Sequence, residues 1–190
     1  MTAPFTSDER TATGMVEDGV AKLVFAGPVG AGKTTAIRAV TDREPIATEM
    51  PLSDGAMGDK TTTTVALDFS TAVLDDGTPL LVYGLPGQER FSFMRPIVLE
   101  GAFGVVVVLD GSSDDAASQC EYWLREIRAI RPDIPIVVGI THTDRMPSFS
   151  LGPIRTAIRR GGSIVPTFTF DARDRAQTAH LVRALLVAMH

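Results

Sequence analysis

The chain has 190 residues, 44% of them hydrophobic, and a formal net charge of −5 at pH 7. This length suits one domain with a complete core, and the acidic balance argues against a nucleic-acid partner held by bulk charge. The single cysteine, Cys120, excludes an internal disulfide and fits a reducing compartment. No apolar run approaches the ~20 residues of a membrane-spanning helix.

Neither end of the chain carries a recognisable targeting or lipidation signal. Met1–Pro4 resembles neither a signal peptide nor a myristoylation site, and the last residues contain no cysteine for prenylation. We therefore expect a cytoplasmic protein with no direct membrane anchor. Any recruitment to a membrane or a cell pole would then depend on a partner.

Residues 1–19 are polar and lack periodicity, which predicts a flexible tail before a single domain at 20–190. Strand patterns then alternate with helical patterns, which predicts right-handed crossovers and a mostly parallel sheet with helices on both faces. The predicted strands are Lys22–Ala26, Val65–Leu74, Leu80–Leu85, Gly104–Asp110, Ile134–Ile140 and Pro166–Phe170. The predicted helices are Thr34–Val40, Phe93–Leu99, Ala116–Ile130, Ile154–Arg160 and Ala176–Met189.

Two further patterns refine this α/β fold. The Asp75–Thr78 segment is an Asp-Gly turn between two strands, which predicts one antiparallel edge strand in a sheet of six. Trp123, Leu124 and Ile127 are spaced to lie on one buried face of their helix, so we interpret them as core residues.

A glycine-rich loop of the form G-x-x-x-x-G-K-T follows the first strand and precedes the first helix. This order is the one in which loop amides and the helix N-terminus cradle phosphate. Lys33 is expected to reach the β- and γ-phosphates, and the Thr34 hydroxyl is expected to bind Mg²⁺. The predicted phosphate-binding residues are Gly27, Pro28, Val29, Gly30, Ala31, Gly32, Lys33, Thr34 and Thr35.

The run Pro86–Phe91, which reads P-G-Q-E-R-F, follows the third predicted strand. It resembles the switch II motif of small GTPases, in which a glycine amide contacts the γ-phosphate and a glutamine orients the attacking water. By that resemblance Gly87 is the phosphate sensor and Gln88 a catalytic residue.

The run Lys60–Phe69 contains four threonines and ends in Asp-Phe. A threonine four residues before Asp-Phe resembles the end of switch I in Rab-type GTPases, which makes Thr64 a ligand of Mg²⁺ and of the γ-phosphate. Thr62 or Thr63 could serve instead, and a threonine-rich entry to a strand is the structural alternative.

Two later segments resemble the guanine-binding motifs of the same proteins. Thr141, His142 and Asp144 stand where an N/T-K-x-D motif is expected, with histidine in place of lysine. Asp144 would accept hydrogen bonds from guanine N1–H and N2–H₂, which adenine does not offer. In Asp171-Ala172-Arg173, at the place of the S-A-K element, the Ala172 amide would bind guanine O6. Because an imidazole is shorter than a lysine, nucleotide affinity should be reduced.

The main departure from the small-GTPase pattern is Gly84, which stands where an aspartate normally holds Mg²⁺ through water. Metal affinity and turnover should therefore be lowered. Asp110, at the end of the fourth strand, is a possible substitute carboxylate. We favour the alternative in which Asp110 belongs to the turn that begins the next helix.

These motifs together resemble the bacterial conservon-type small GTPases, a group related to MglA, over nearly the whole chain after the tail. The resemblance implies a Ras-like P-loop G domain that binds GTP/GDP and Mg²⁺ and hydrolyses GTP slowly, with Lys33, Thr64 and Gln88 as its catalytic residues. It also implies a roadblock/LC7-domain partner, with the downstream effector unknown.

Arg90 and Arg95 flank the switch II motif and could supply an arginine finger, although we favour a solvated or partner-facing position. Among Phe91, Phe93, Met94 and Pro96 we expect one or two to be exposed for a partner. Two other functional classes stay open: a hydrolysis-deficient GTP-binding scaffold and a P-loop nucleotide or small-molecule kinase.

Overall fold

The computed structural model describes residues 20–41, 45–51, 64–74, 77–162 and 164–188, with only the backbone described for 46–51 and 64–66. The predicted tail at 1–19 lies outside these ranges. Within them, no helix is long and apolar enough to span a bilayer.

Seven strands and five α-helices make up the domain over the described residues. The strands are β1 (Ala21–Ala26), β2 (Ile46–Pro51), β3 (Thr64–Val73), β4 (Pro79–Gly84), β5 (Gly104–Asp110), β6 (Ile136–Thr141) and β7 (Thr167–Thr169). The helices are α1 (Lys33–Val40), α2 (Arg95–Leu99), α3 (Ala116–Ile130), α4 (Gly152–Arg160) and α5 (Arg175–Val187). Short 3₁₀-helices cover Glu89–Met94 and Thr143–Arg145.

The strands form one sheet in the order β2-β3-β4-β1-β5-β6-β7. The Ras-like α/β architecture is confirmed, and the sheet has one strand more than the predicted six because β2 adds outside β3. β3 is antiparallel to both neighbours, whereas β4, β1, β5, β6 and β7 pair in parallel. The antiparallel strand therefore lies one position in from the edge.

Side chains on the two faces of the sheet form two apolar clusters. Val105 and Val107 of β5 pack with Trp123 and Ile127 of α3 on one face. Val106 and Val108 point to the other face, where α1 and α5 cover them. This alternation is the period of two expected for a strand buried on both sides. The predicted helix-covered sheet and the core position of Trp123, Leu124 and Ile127 are confirmed.

The parallel strands β1, β5 and β6 all end at the same edge of the sheet. Ligands of open α/β sheets bind outside the carboxyl ends of the strands, where the loops gather. The loops that follow β1, β5 and β6 begin at Gly27, Gly111 and His142, so the fold brings the predicted phosphate and base motifs together.

Candidate functional site

The glycine-rich loop between β1 and α1 is packed too tightly for side chains at some positions. Gly27 has φ 138°, and a Cβ there would lie 2.0 Å from the Val108 carbonyl oxygen of β5. Lys33 Nζ donates to the carbonyl oxygens of Gly27 at 2.8 Å and Pro28 at 2.6 Å. Burial lowers the pKa of the Lys33 ammonium to about 8. The loop thus holds one cation at its centre, where an anion would compensate its desolvation.

Thr34 contacts a carboxylate that the sequence did not single out. Its hydroxyl donates to Asp68 Oδ2 at 2.5 Å, and Asp68 comes from the middle of β3. The pairing of Asp68 with Gly84 across the β3–β4 hairpin could have revealed it, since counting back from the turn gives that register.

Gly84 has no room for a side chain beside this carboxylate. A Cβ at position 84 would lie 2.9 Å from both Asp68 Cβ and Ile37 Cδ1, and 3.3 Å from Asp68 Oδ2. Asp68 therefore reaches from β3 into the space that an aspartate on β4 would need. Asp110 does not take this place, because its carboxylate faces the turn after β5 and His142.

Gly87 lies directly on the glycine-rich loop. A Cβ there would be 2.5 Å from Val29 N, 2.7 Å from Pro28 C and 2.8 Å from Gly27 O, all of them backbone atoms. Only a glycine allows this approach, so the segment after β4 is in contact with the part of the loop that holds Lys33.

Gln88 and Arg90 are both exposed, and they contact each other. Arg90 Nε donates to Gln88 Oε1 at 2.8 Å, and the Arg90 guanidinium lies 4.7 Å from the centre of the Phe91 ring. The Gln88 side-chain amide, which we predicted to be catalytic, is thus hydrogen-bonded to a neighbour in its own segment.

Arg95 is buried, with 2% of its surface exposed. The solvated or partner-facing position that we favoured for it from the sequence is therefore wrong. Its guanidinium pairs with Glu89 and Glu126 at 3.0 and 2.7 Å, and is not free to act as a finger. Among the predicted partner-facing residues, Phe93 and Pro96 are exposed whereas Met94 is buried.

Residues from both base motifs line one open cavity of about 610 Å³ at the edge of the sheet. It also borders the phosphate loop at Gly32 and Thr35. The predicted base-binding residues that line it are Thr141, His142, Asp144, Asp171, Ala172 and Arg173. Residues far apart in sequence thus surround a single space beside the loop.

Thr141 connects the lining of the cavity to the glycine-rich loop. Its hydroxyl lies 2.9 Å from the carbonyl oxygen of Ala31 and 3.1 Å from that of Leu109, and it is buried. A Cβ on Gly32 would lie 3.4 Å from both Thr141 Cγ2 and Ala172 Cβ. The loop and the two base motifs therefore pack as one unit.

His142 has a left-handed backbone, with φ 54°, which a residue other than glycine rarely adopts. Its Nδ1 lies 3.1 Å from Asp110 Oδ2. The other oxygen of Asp110 accepts from the amide and hydroxyl of Ser112 at 2.9 and 2.6 Å. Desolvation raises the pKa of Asp110, but the hydrogen bonds from Ser112 and the imidazole of His142 outweigh it. The pKa of Asp110 therefore lies below its usual value. Asp110 thus belongs to the turn, as favoured from the sequence, and also orients the imidazole.

The segment at the place of the S-A-K element is held by its own ion pair. Arg173 donates from Nη2 to Asp171 Oδ2 at 2.7 Å and from its backbone amide to Asp171 Oδ1 at 2.9 Å. These bonds lower the pKa of Asp171 to about 2. Gln177 of α5 accepts from the Asp171 amide and lines the cavity, a contact that the sequence patterns did not predict.

The structure describes only part of the predicted switch I segment. Thr64 begins β3, but its side chain lies outside the described residues, as do the alternatives Thr62 and Thr63. The role of Thr64 in binding Mg²⁺ and phosphate stays a prediction.

Comparison with known proteins agrees with this geometry. Residues 22–144, more than half of the chain, match the family described as "Ras of Complex, Roc, domain of DAPkinase". The chain is similar to the GTP-binding protein ypt4 of Schizosaccharomyces pombe, at 27% identity over 64% of this chain and 50% of the relative.

Two more relatives are similar over shorter stretches. Rab-18-B of Danio rerio is 30% identical over 56% of this chain and 47% of its own length. The uncharacterised protein MJ1339 of Methanocaldococcus jannaschii is 34% identical over 48% of this chain and 51% of its own. The chain spans about half the length of the curated relatives it matches.

The family match runs from Lys22 of β1 to Asp144, and it includes the glycine-rich loop, Gly87 and the cavity-lining residues Thr141–Asp144. The chain therefore belongs to the Roc family of Ras-like small GTPase domains.

Proposed function

We propose that the protein is a GTP-binding switch that hydrolyses GTP slowly to GDP and phosphate. The observation that carries this proposal is the single cavity in which Thr141, Asp144 and Ala172 lie beside the phosphate loop at Gly32. The Asp144 carboxylate and the Ala172 backbone amide belong to two different segments that line this cavity, and they suit the donors and the O6 acceptor of guanine. Kinship with Rab-type proteins supports the same nucleotide.

The donor set near Thr34 fits Mg²⁺. A hydroxyl and a carboxylate are the hard oxygen ligands that this ion prefers. With Gly84 crowded, Asp68 is the carboxylate that contacts Thr34 among the described residues. Thr34 and Thr64 would hold the ion with phosphate oxygens, and Asp68 would support it from behind Thr34. When bound, Mg²⁺ neutralises phosphate charge.

Hydrolysis requires the protein to position groups more than to form bonds. Lys33 and the loop amides bind the β- and γ-phosphates, the Gly87 amide faces the γ-phosphate, and the Gln88 amide orients water. Gln88 must first leave Arg90, and Arg95 is not available as a finger. Unassisted turnover is therefore expected to be slow, on the order of 10⁻⁴ s⁻¹.

Phe93 and Ile97, which follow Gln88 in the sequence, have exposed side chains and offer a surface that could change with nucleotide state. A roadblock/LC7-domain protein is the partner we propose for it, acting in the cytoplasm and recruiting the chain elsewhere if needed. A hydrolysis-deficient GTP-binding scaffold is the second candidate, favoured by the contact between Gln88 and Arg90.

The nucleotide that copurifies with the protein, followed by affinities for GTP, GDP and ATP with and without Mg²⁺, tests the proposal. We expect GTP and GDP to bind in a Mg²⁺-dependent manner and Asp144→Ala to lose the preference over ATP. A preference of the unchanged chain for ATP would support a kinase and contradict the proposed GTP-binding switch. Tight GTP binding without turnover, even with a roadblock protein present, would favour the scaffold.

A further inference from the structure

Five side chains connect the segment after Gln88 to helix α3, and we call them the Arg95 cluster: Glu89, Arg95, Tyr122, Trp123 and Glu126. Arg95 Nη1 donates to Glu126 Oε2 at 2.7 Å, and Nη2 donates to Glu89 Oε2 at 3.0 Å and to Tyr122 Oη at 2.7 Å. The Tyr122 hydroxyl also donates to Glu89 Oε2. One buried guanidinium thus joins two elements.

The aromatic rings of α3 enclose this guanidinium. Its central carbon lies 4.8 Å from the centre of the Trp123 ring and 5.3 Å from that of Tyr122, and Arg95 Nε is buried without a hydrogen-bond partner among the described residues. A buried cation that loses one of its carboxylates is strongly destabilised. Breaking one of these contacts while the others remain is therefore energetically costly.

The two halves of the segment are held differently. Met94, Val98 and Leu99 anchor its second half in the core. The first half, Gln88–Arg90, is exposed, and the Glu89 side chain has 71% of its surface accessible. An isolated surface ion pair would hold Glu89 weakly, but the buried Arg95 and the Tyr122 hydroxyl converge on the same oxygen. Glu89 is thus the point at which α3 restrains the residue next to Gln88.

We propose that Tyr122 and Glu126 of α3 act through Arg95 and Glu89 as positioning residues for Gln88. This inference rests on the proposed function, because Gln88 needs a defined position only if water attacks a bound γ-phosphate. Consecutive Cα atoms are ~3.8 Å apart, so a fixed Glu89 restricts where the Gln88 amide can reach. A change at the α3 surface would then alter turnover without touching the nucleotide.

The chain contains an internal reporter of this cluster. Trp123 is its single tryptophan, and the Arg95 guanidinium lies against its ring. Opening of the cluster removes a cation from the indole face and changes the Trp123 emission, whether or not GTP is hydrolysed.

Tyr122→Phe is the sharpest test, because it removes one hydroxyl and leaves the ring in place. Tyr83→Phe is the matched control, since the Tyr83 hydroxyl makes no hydrogen bond to a described residue and its ring packs on Phe69 of β3. Glu126→Gln provides a second variant, which removes one carboxylate of the cluster. Three quantities are measured: single-turnover GTP hydrolysis, GDP affinity, and hydrogen exchange at the amides of Phe91–Met94.

In Tyr122→Phe we expect turnover to fall about tenfold with GDP affinity within about twofold of the unchanged chain. Amide exchange at Phe91–Met94 should accelerate and Trp123 emission should shift, and Glu126→Gln should act in the same direction. Faster exchange with unchanged turnover would overturn the positioning role, and unchanged exchange in both variants would overturn the cluster as a restraint. An unchanged chain that binds no guanine nucleotide would defeat the proposed function, while the exchange comparison would still decide the restraint.

Discussion

Asp68 on β3 and Gly84 on β4 are paired across the hairpin, and the Asp68 side chain occupies the space beside Gly84. The carboxylate that contacts Thr34 therefore comes from the strand next to the one that small GTPases use. A glycine at position 84 and an aspartate at position 68 form a complementary pair, because a side chain at 84 would collide with Asp68.

The first prediction concerns this pair. Asp68→Ala should speed GDP dissociation about tenfold in millimolar Mg²⁺ and weaken the dependence on Mg²⁺, because it removes the carboxylate behind Thr34. Stopped-flow release of a fluorescent GDP derivative, with and without a chelator, measures both quantities.

Gly84→Asp alone should destabilise the fold by about 1–3 kcal/mol through overpacking against Asp68 and Ile37. The double variant Asp68→Gly/Gly84→Asp, which moves the carboxylate to β4, should recover much of the Mg²⁺ dependence. If the double variant loses as much stability and Mg²⁺ dependence as the two single variants together, the two positions do not share one space.

A second prediction follows from the contact of Gly87 with the phosphate loop. Gly87→Ala should push the segment off the loop, because the added Cβ would meet the backbone of Gly27, Pro28 and Val29. We expect GTP affinity to fall more than GDP affinity, since the Gly87 amide is proposed to face the γ-phosphate. Calorimetric titration with both nucleotides gives the ratio; an equal loss for GDP and GTP would remove Gly87 from γ-phosphate sensing.

A third prediction separates the roles of Gln88 and Arg90. Gln88→Leu should abolish hydrolysis and keep GTP binding, because only the water-orienting amide is lost. Arg90→Ala should leave hydrolysis equal or faster, since Gln88 is released from its hydrogen bond. Phosphate release in single-turnover assays measures both. A collapse of turnover in Arg90→Ala would instead make Arg90 the arginine finger.

A fourth prediction addresses the base side of the cavity. His142→Ala should weaken GDP and GTP binding by a similar factor, about tenfold, because an imidazole that lines the cavity can stack on the base that both nucleotides share. Asp110→Asn keeps the imidazole and removes its carboxylate partner, so the loss should be smaller and in the same direction. Fluorescence titrations measure both variants, and no loss in His142→Ala would place the base elsewhere.

A fifth prediction uses the ion pair of Asp171 and Arg173. The pKa of Asp171 is lowered to about 2 in the folded chain, so the pair stabilises the fold above the ordinary aspartate pKa of 3.8 and loses this effect as pH falls toward 2. Above pH 4, Arg173→Gln should unfold at a lower temperature than the unchanged chain, and this difference should shrink as pH falls through 2 and vanish below it. Arg145→Gln is a control that removes another arginine from the lining of the same cavity. A difference that persists well below pH 2 would not come from this ionisation.

The patterns with a local physical origin were predictable. The helix Ala116–Ile130 follows from one apolar face, and β5 follows from an unbroken run of valines. The glycine-rich loop is recognisable because its spacing, strand and helix are contiguous. β2 was missed because Ile46–Pro51 has no strong alternation, and its pairing with β3 depends on contacts distant in sequence.

The sequence by itself determined the phosphate loop, the two base motifs and the order of the helices and of every strand except β2, since each is a short contiguous pattern with its own backbone chemistry. Only the tertiary structure decided which carboxylate supports Thr34, which acid orients His142 and why Arg95 cannot serve as a finger. Those answers depend on strand register and helix packing, which bring Asp68 to Thr34, Asp110 to His142 and α3 to Arg95. Contacts between residues tens of positions apart are set by burial and close packing, and no local pattern contains them.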